Sequence, residues 1–316
     1  MTDKQLSFKE EKITEILNEV TTLLKEDNYE EVIGLLERGL KIDFEYPGIA
    51  SSLKAVNFWR DRFEKYRNMK GYLQRGEYLF KQWVNYKYFS FTMRDIPDSI
   101  DFSIKNKVFN LALDDFLKSI DATNRYDTHL LLQIGRSYKA IGDYENAIAS
   151  LEEANSLENN NSEILSELAD CYSLIEEEKA SKIFFREAFF LNPENISILT
   201  LETPSIKKII LQIYELGYPL EEIPPWIPVY ATLWGVFNIK RELKPLELGK
   251  LKQSIYTLEH KIEEGNEDPY LVPKLLNRYF WLIDHYVTSN EEQSKIDEIL
   301  EKIKNLNPTI FKEYTN

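Results

Sequence analysis

The sequence predicts an all-α protein, a solenoid of antiparallel helix hairpins with additional flanking helices. Three observations lead there. Eleven glycines and twelve prolines make up about 7% of the 316 residues, against roughly 12% in an average chain, so little interrupts long helices. Apolar residues recur at spacings of three and four over most of the length, which marks a helix face rather than a strand face. One stretch of small, large and turn residues also returns after 34 residues without a gap, the mark of a repeating supersecondary unit.

In chain order, Ile13, Ile16, Leu17, Val20, Leu23 and Leu24 line one face of a first helix. The stretch "DNYEEVIGLLERGLKI" (Asp27 to Ile42) supplies the second arm of a degenerate hairpin. It aligns with "GDYENAIASLEEANSL" (Gly142 to Leu157) through Tyr29/Tyr144, Ile33/Ile148 and Leu36/Leu151. From Asn57 to Phe91 the chain is dense in aromatics, with Trp59, Phe63 and Tyr66 on one helix and Tyr72, Phe80, Trp83 and Phe89 on the next. Arg60, Arg62, Lys65, Arg67, Lys70, Arg75, Lys81 and Lys87 interleave with them. The expected arrangement is an amphipathic core face with a solvated basic flank; the competing one is a surface that stacks bases and holds phosphates. Pro97 then breaks the pattern, Asp98 is placed to cap a helix from Ser99, and "LALDDFLKSI" carries Ala112, Phe116 and Ser119 at small, large and small positions.

The clearest pattern follows. Numbering from Thr128 as position 1 puts Leu131 at 4, Ile134 at 7, Gly135 at 8, Tyr138 at 11, Ala147 at 20, Leu151 at 24 and Ala154 at 27. Starting again at Ser162 returns Leu165, Leu168, Ala169, Tyr172, Ser181, Phe185 and Ala188 at the same positions, with Pro193 near the end. Small residues at positions 8 and 20 let two helix axes approach closely, and replacing Ala147 by Leu is expected to cost roughly 1 to 3 kcal/mol by overpacking. "IGDY" supplies the turn, Gly142 ending one helix and Asp143 capping the next.

This pattern resembles the tetratricopeptide repeat, a unit of two antiparallel helices joined by a tight turn. The resemblance covers residues 128 to 195 and departs from the usual pattern at Leu131 and Leu165, where tryptophan is common, and at Asn159, where proline usually closes the unit. It divides the chain into a helical region with degenerate hairpins (1–126), two clear repeats (127–196, as 128–161 and 162–195) and a helical capping region (197–316).

Beyond Pro193 the frame is lost. "SIKKIILQIYELG" (Ser205 to Gly217) is a helix with Ile206, Ile209, Ile210 and Ile213 inward. "YPLEEIPPWIPVYATLWGVFNI" (Tyr218 to Ile239) holds four prolines that exclude a continuous helix before about Pro228, which suits a first helical position. This apolar run either closes the end of the stack or forms a docking patch; closure is the expectation, since a solenoid must hide its last apolar face. Three helices follow, Pro245 to Glu264, Pro269 to Tyr286 and Glu291 to Asn305.

Composition excludes several functions. A formal charge of −14 forfeits the counterion release that drives binding to a phosphate backbone, so no nucleic-acid partner is expected. Cys171 is the single cysteine, which leaves no intramolecular disulfide and fits a reducing compartment. The polar, acidic N-terminus and the lack of an uncharged 18-residue stretch lead us to expect a cytoplasmic chain without membrane insertion. His129, His260 and His285 share no metal-ligand spacing, and each is expected at a surface or interface. No phosphate loop or nucleophile with a matching base is visible, so no enzyme activity, cofactor or metal is expected.

What remains is recognition. In the family that the pattern resembles, the first helices line a concave groove. By position this implies a protein-binding set of His129, Leu132, Gln133, Arg136 and Lys139 in the first repeat and Glu163, Glu167 and Asp170 in the second. The expected function is a non-catalytic protein–protein interaction scaffold that binds a peptide or helix of a partner through this groove. The alternative is a structural subunit of a larger bacterial assembly, such as a motility or secretion apparatus, docking through the aromatic Asn57–Phe91 region or the Trp226–Phe237 patch.

Overall fold

The computed structural model describes residues 3–26, 28–93, 95–121, 124, 126–240 and 242–315, the side chains of 3–8 excepted; Asp27 of the first aligned stretch lies outside them. Among the described residues there are fifteen α-helices, three short 3₁₀ turns and no strand, an all-α fold of packed helix pairs. The chain divides into two compact units, Met1–Leu157 and Glu158–Asn316. The boundary falls after Leu157, four residues before the end of the first 34-residue repeat, 128–161.

The first unit comprises α1 (Asp3–Lys25), α2 (Tyr29–Ile42), α3 (Ile49–Asn68), α4 (Tyr72–Met93), α5 (Asp98–Ser119), α6 (Thr128–Ile141) and α7 (Tyr144–Leu157). Its core is aromatic. Trp59, Phe63, Trp83 and Tyr86 are buried, Trp59 and Trp83 with ring centroids 6.2 Å apart, and Phe109 of α5 meets Trp83 edge-on at 5.4 Å. Pairs in such geometry contribute about 0.5–1.5 kcal/mol beyond the area they bury. The expected core face of the Asn57–Phe91 stretch is therefore correct. The helix after Pro97 begins at Asp98 itself, so Asp98 is its first residue rather than its cap, and Pro97 at the cap position makes no side-chain hydrogen bond.

Beneath this core, Tyr66 donates its hydroxyl to the buried Asp115 (2.7 Å), and Arg75 closes the triangle with Nη2 on Tyr66 Oη (2.6 Å) and Nε 3.2 Å from Asp115. Burial and the neighbouring carboxylate push the Tyr66 phenol up to about 12. The α6–α7 hairpin shows why the repeat needs a glycine. A Cβ on Gly135 would lie 2.6 Å from Leu151 Cγ and 3.3 Å from the Ala147 carbonyl oxygen. Gly142 adopts the left-handed conformation (φ 87°) that ends α6, and Asp143 then accepts the Asn146 N–H at the start of α7.

The second unit holds α8 (Ser162–Leu174), α9 (Glu178–Leu191), α10 (Pro204–Glu215), α11 (Ile223–Leu233), α12 (Pro245–Glu263), α13 (Leu271–Thr288), α14 (Gln293–Leu306) and α15 (Pro308–Thr315). The hairpin α8–α9 keeps the small positions at Ala169 and Ser181, both buried, beside the buried Phe185. Nearly every side chain of α13 from Leu275 to Tyr286 is buried, so it is the central helix of the unit, packed by α9, α11, α12 and α14. An ion pair lies within this packing. Arg186 of α9 reaches Asp284 at 2.8 Å and stacks on Trp281 at 4.7 Å, while burial holds the Asp284 carboxyl above the usual range.

The proline run departs from expectation. Helix α11 starts at Ile223 rather than near Pro228, which lies inside it. Pro224 and Pro225 fall among the first helical residues, whose N–H groups have no intrahelical acceptor, so only Pro228 removes a bond. Trp226 and Tyr230 are buried, so the apolar run packs within the unit. His285 also departs: it is buried, and its Nδ1 accepts the Leu243 N–H at 3.2 Å, which makes it part of the core.

Candidate protein-binding surface

The candidate surface rests on the first helix of each repeat. In the first unit, Asp127 caps α6 by accepting the Leu130 N–H at 2.8 Å, which fixes where the helix begins and hence which residues face outward. His129 at its start is exposed, its Nε2 3.5 Å from Glu77 Oε1. One turn on, the situation changes. Leu132 and Gln133 are each 3% exposed, and Gln133 Oε1 has no hydrogen-bond partner among the described residues. Arg136 is equally buried, its guanidinium 4.7 Å from the Phe80 ring centroid, and Lys139 is buried as well.

In the second unit, Asn161 caps α8 through the Glu163 and Ile164 N–H groups (2.9 and 3.3 Å). Glu163 is half-buried and Glu167 buried. Asp170 is completely buried, and its bonds explain why. Its carboxylate accepts the Glu202 N–H (2.8 Å), the Thr203 N–H (2.7 Å) and the Thr203 hydroxyl (2.6 Å). It thus holds the turn that leads into α10 by pairing the Glu202 and Thr203 N–H groups just before the helix. Asp170 is a fold anchor within its own chain.

Six of the eight groove positions are therefore closed to solvent, which corrects the expectation that the packing pattern leaves them free. The 34-residue frame identifies residues that point away from their own hairpin; it carries no information about what else covers them. His129 and Glu163 remain accessible. The charged groups that sequence reasoning missed are the Tyr66–Arg75–Asp115 triangle and the Arg186–Asp284 pair; Tyr66 and Asp115 lie 49 positions apart, Arg186 and Asp284 98. No local spacing rule could join them.

Among the described residues, no group of three or more His, Cys, Asp or Glu side chains has the geometry to hold a metal ion. No helix of the described residues is long and apolar enough to cross a membrane. Comparison with family models matches residues 128–161 to the tetratricopeptide repeat, so the chain contains such a repeat, formed by α6 and α7. No curated protein matches the chain.

Proposed function

We propose that this chain is a non-catalytic scaffold that holds a peptide or helix of a partner protein along the first helices of its repeats. The matched repeat at 128–161 carries this reading, since that unit is a protein-interaction module. Within the set His129, Leu132, Gln133, Arg136, Lys139, Glu163, Glu167 and Asp170, the accessible His129 and Glu163 make the first contacts with the partner. The six beneath them hold the helices in place. A net charge of −14 favours a protein over nucleic acid as the partner.

Site-specific photocrosslinking in extract of the native cell tests this. A benzophenone side chain at position 129 or 163 captures a discrete protein band, and one at the exposed Glu153 of α7 does not. Capture from position 153 alone, or equal capture from all three, overturns the assignment.

A further inference from the structure

The hairpin α3–α4 differs in charge from the rest of its chain. Between Ile49 and Met93, nine Lys and Arg stand against three Asp and Glu, a surplus of six in a chain whose net charge is −14. Helical spacing puts Lys54, Phe58, Arg62 and Lys65 on one face of α3, and Tyr78, Lys81, Gln82 and Phe89 on one face of α4. The fold brings these two stripes together as one seam. Arg62 Nε donates to Gln82 Oε1 at 2.8 Å, Phe58 stacks on Phe89 with centroids 5.2 Å apart, and the Lys65 ammonium lies 5.2 Å from the Tyr78 ring.

Three other cations of the hairpin are paired: Arg60 with Asp61, Arg75 with Asp115 and Lys87 with Asp101. On the seam, by contrast, Lys54, Lys65 and Lys81 are exposed and make no salt bridge among the described residues. We propose that this seam docks an acidic segment of a partner protein. Charge complementarity selects the class, and preorganisation strengthens it. The Arg62 guanidinium lies 3.3 Å from the Phe58 centroid, and Nη1 donates to the Phe58 carbonyl at 2.7 Å, so its planar fork is fixed before any ligand arrives.

The same contacts disfavour single-stranded nucleic acid. Base stacking needs a free aromatic face, but Arg62 and Phe89 cover Phe58, and Lys65 lies over Tyr78. A long polyanion would also extend beyond a patch of +6 onto a remainder that carries −20, whereas a short carboxylate-rich segment ends within it. This surface uses helices other than the first helices of the repeats, so it stands apart from the groove reading.

The test is fluorescence anisotropy of a labelled Glu-rich peptide with a few interspersed leucines, titrated with the full chain at low and raised salt. Binding is expected to weaken with salt and to fall about tenfold or more in Lys65→Glu/Lys81→Glu. It should hold in Lys208→Glu/Lys250→Glu, which changes the net charge equally on exposed sites of the other unit. Absence of binding by the unmodified chain, or equal loss in both variants, overturns the proposal. So does an oligothymidylate probe that binds as tightly and responds to the same pair, which marks a nucleic-acid surface. Concentration-dependent self-association in sedimentation that Lys65→Glu/Lys81→Glu abolishes also overturns it, by making a second copy the occupant. Circular dichroism of each variant checks folding.

Discussion

Two basic clusters of the first unit sit in opposite surroundings. On α6, Arg136 and Lys139 are buried, the guanidinium packed over Phe80; on α3 and α4, Lys54, Lys65 and Lys81 stand open to solvent. A surface lysine keeps its hydration and asks little of the fold, so its charge is available to a partner. A buried cation has lost hydration worth several kcal/mol and persists only where fixed neighbours replace that water. The first kind serves recognition and the second serves architecture, although both are Lys and Arg on amphipathic helices.

The largest effect should come from reversing a buried charge. Arg136→Glu puts an anion where the fold has been built around a cation, and urea unfolding should report a loss of about 3–5 kcal/mol or failure to fold. An effect under about 0.5 kcal/mol would mean that Arg136 is open to solvent and returns it to the binding set. Next, Asp170→Ala strands the Glu202 and Thr203 N–H groups and should cost about 3 kcal/mol, at about 1–3 kcal/mol per unpaired buried group. Hydrogen exchange at the start of α10 should rise with it. If protection there is unchanged, Asp170 does not anchor that turn.

A smaller effect concerns acid. Burial raises the Asp115 and Asp284 carboxyls above 3.8, so around and below their folded-state values the native chain binds more protons than the unfolded one. Their contribution to stability therefore grows as pH falls from neutral through the raised values towards 3.8, the reverse of a carboxylate whose folded-state value is depressed. Asp115→Asn keeps an acceptor for Tyr66 and removes the titration, so the pH dependence of the unfolding midpoint should flatten over that window. A parallel curve would exclude Asp115 as a contributor. The smallest effect is expected on the open seam, where Lys65→Glu/Lys81→Glu should shift stability by less than about 0.5 kcal/mol. A large loss there would place those lysines in the architecture and erase the contrast with α6.

Local features of the repeat were readable before any coordinates. Gly135, Ala147 and Ala154 mark the close approach of α6 and α7, Gly142 and Asp143 mark the turn, and the aromatics of α3 and α4 mark a core face, because each depends on neighbours within about one helical turn or one hairpin. The candidate site was readable only in part. Asp170 was assigned to a partner by its position in the repeat; the groups that bind its carboxylate, Glu202 and Thr203, lie 32 and 33 positions away. The start of α11 was misplaced for another reason. Proline forbids a helix interior but suits the first turn, and the choice between them depended on how the preceding chain packs.

The sequence by itself determined the helical class, the hairpin that repeats and the uneven charge of the chain, since periodicity, turn residues and charge are local or additive properties. Tertiary structure alone decided which outward-facing side chains remain outward. Burial is a property of every element that packs nearby, so Arg136 and Lys139 became interior while Lys65 and Lys81 stayed at the surface, although each lies off the apolar stripe of its own helix.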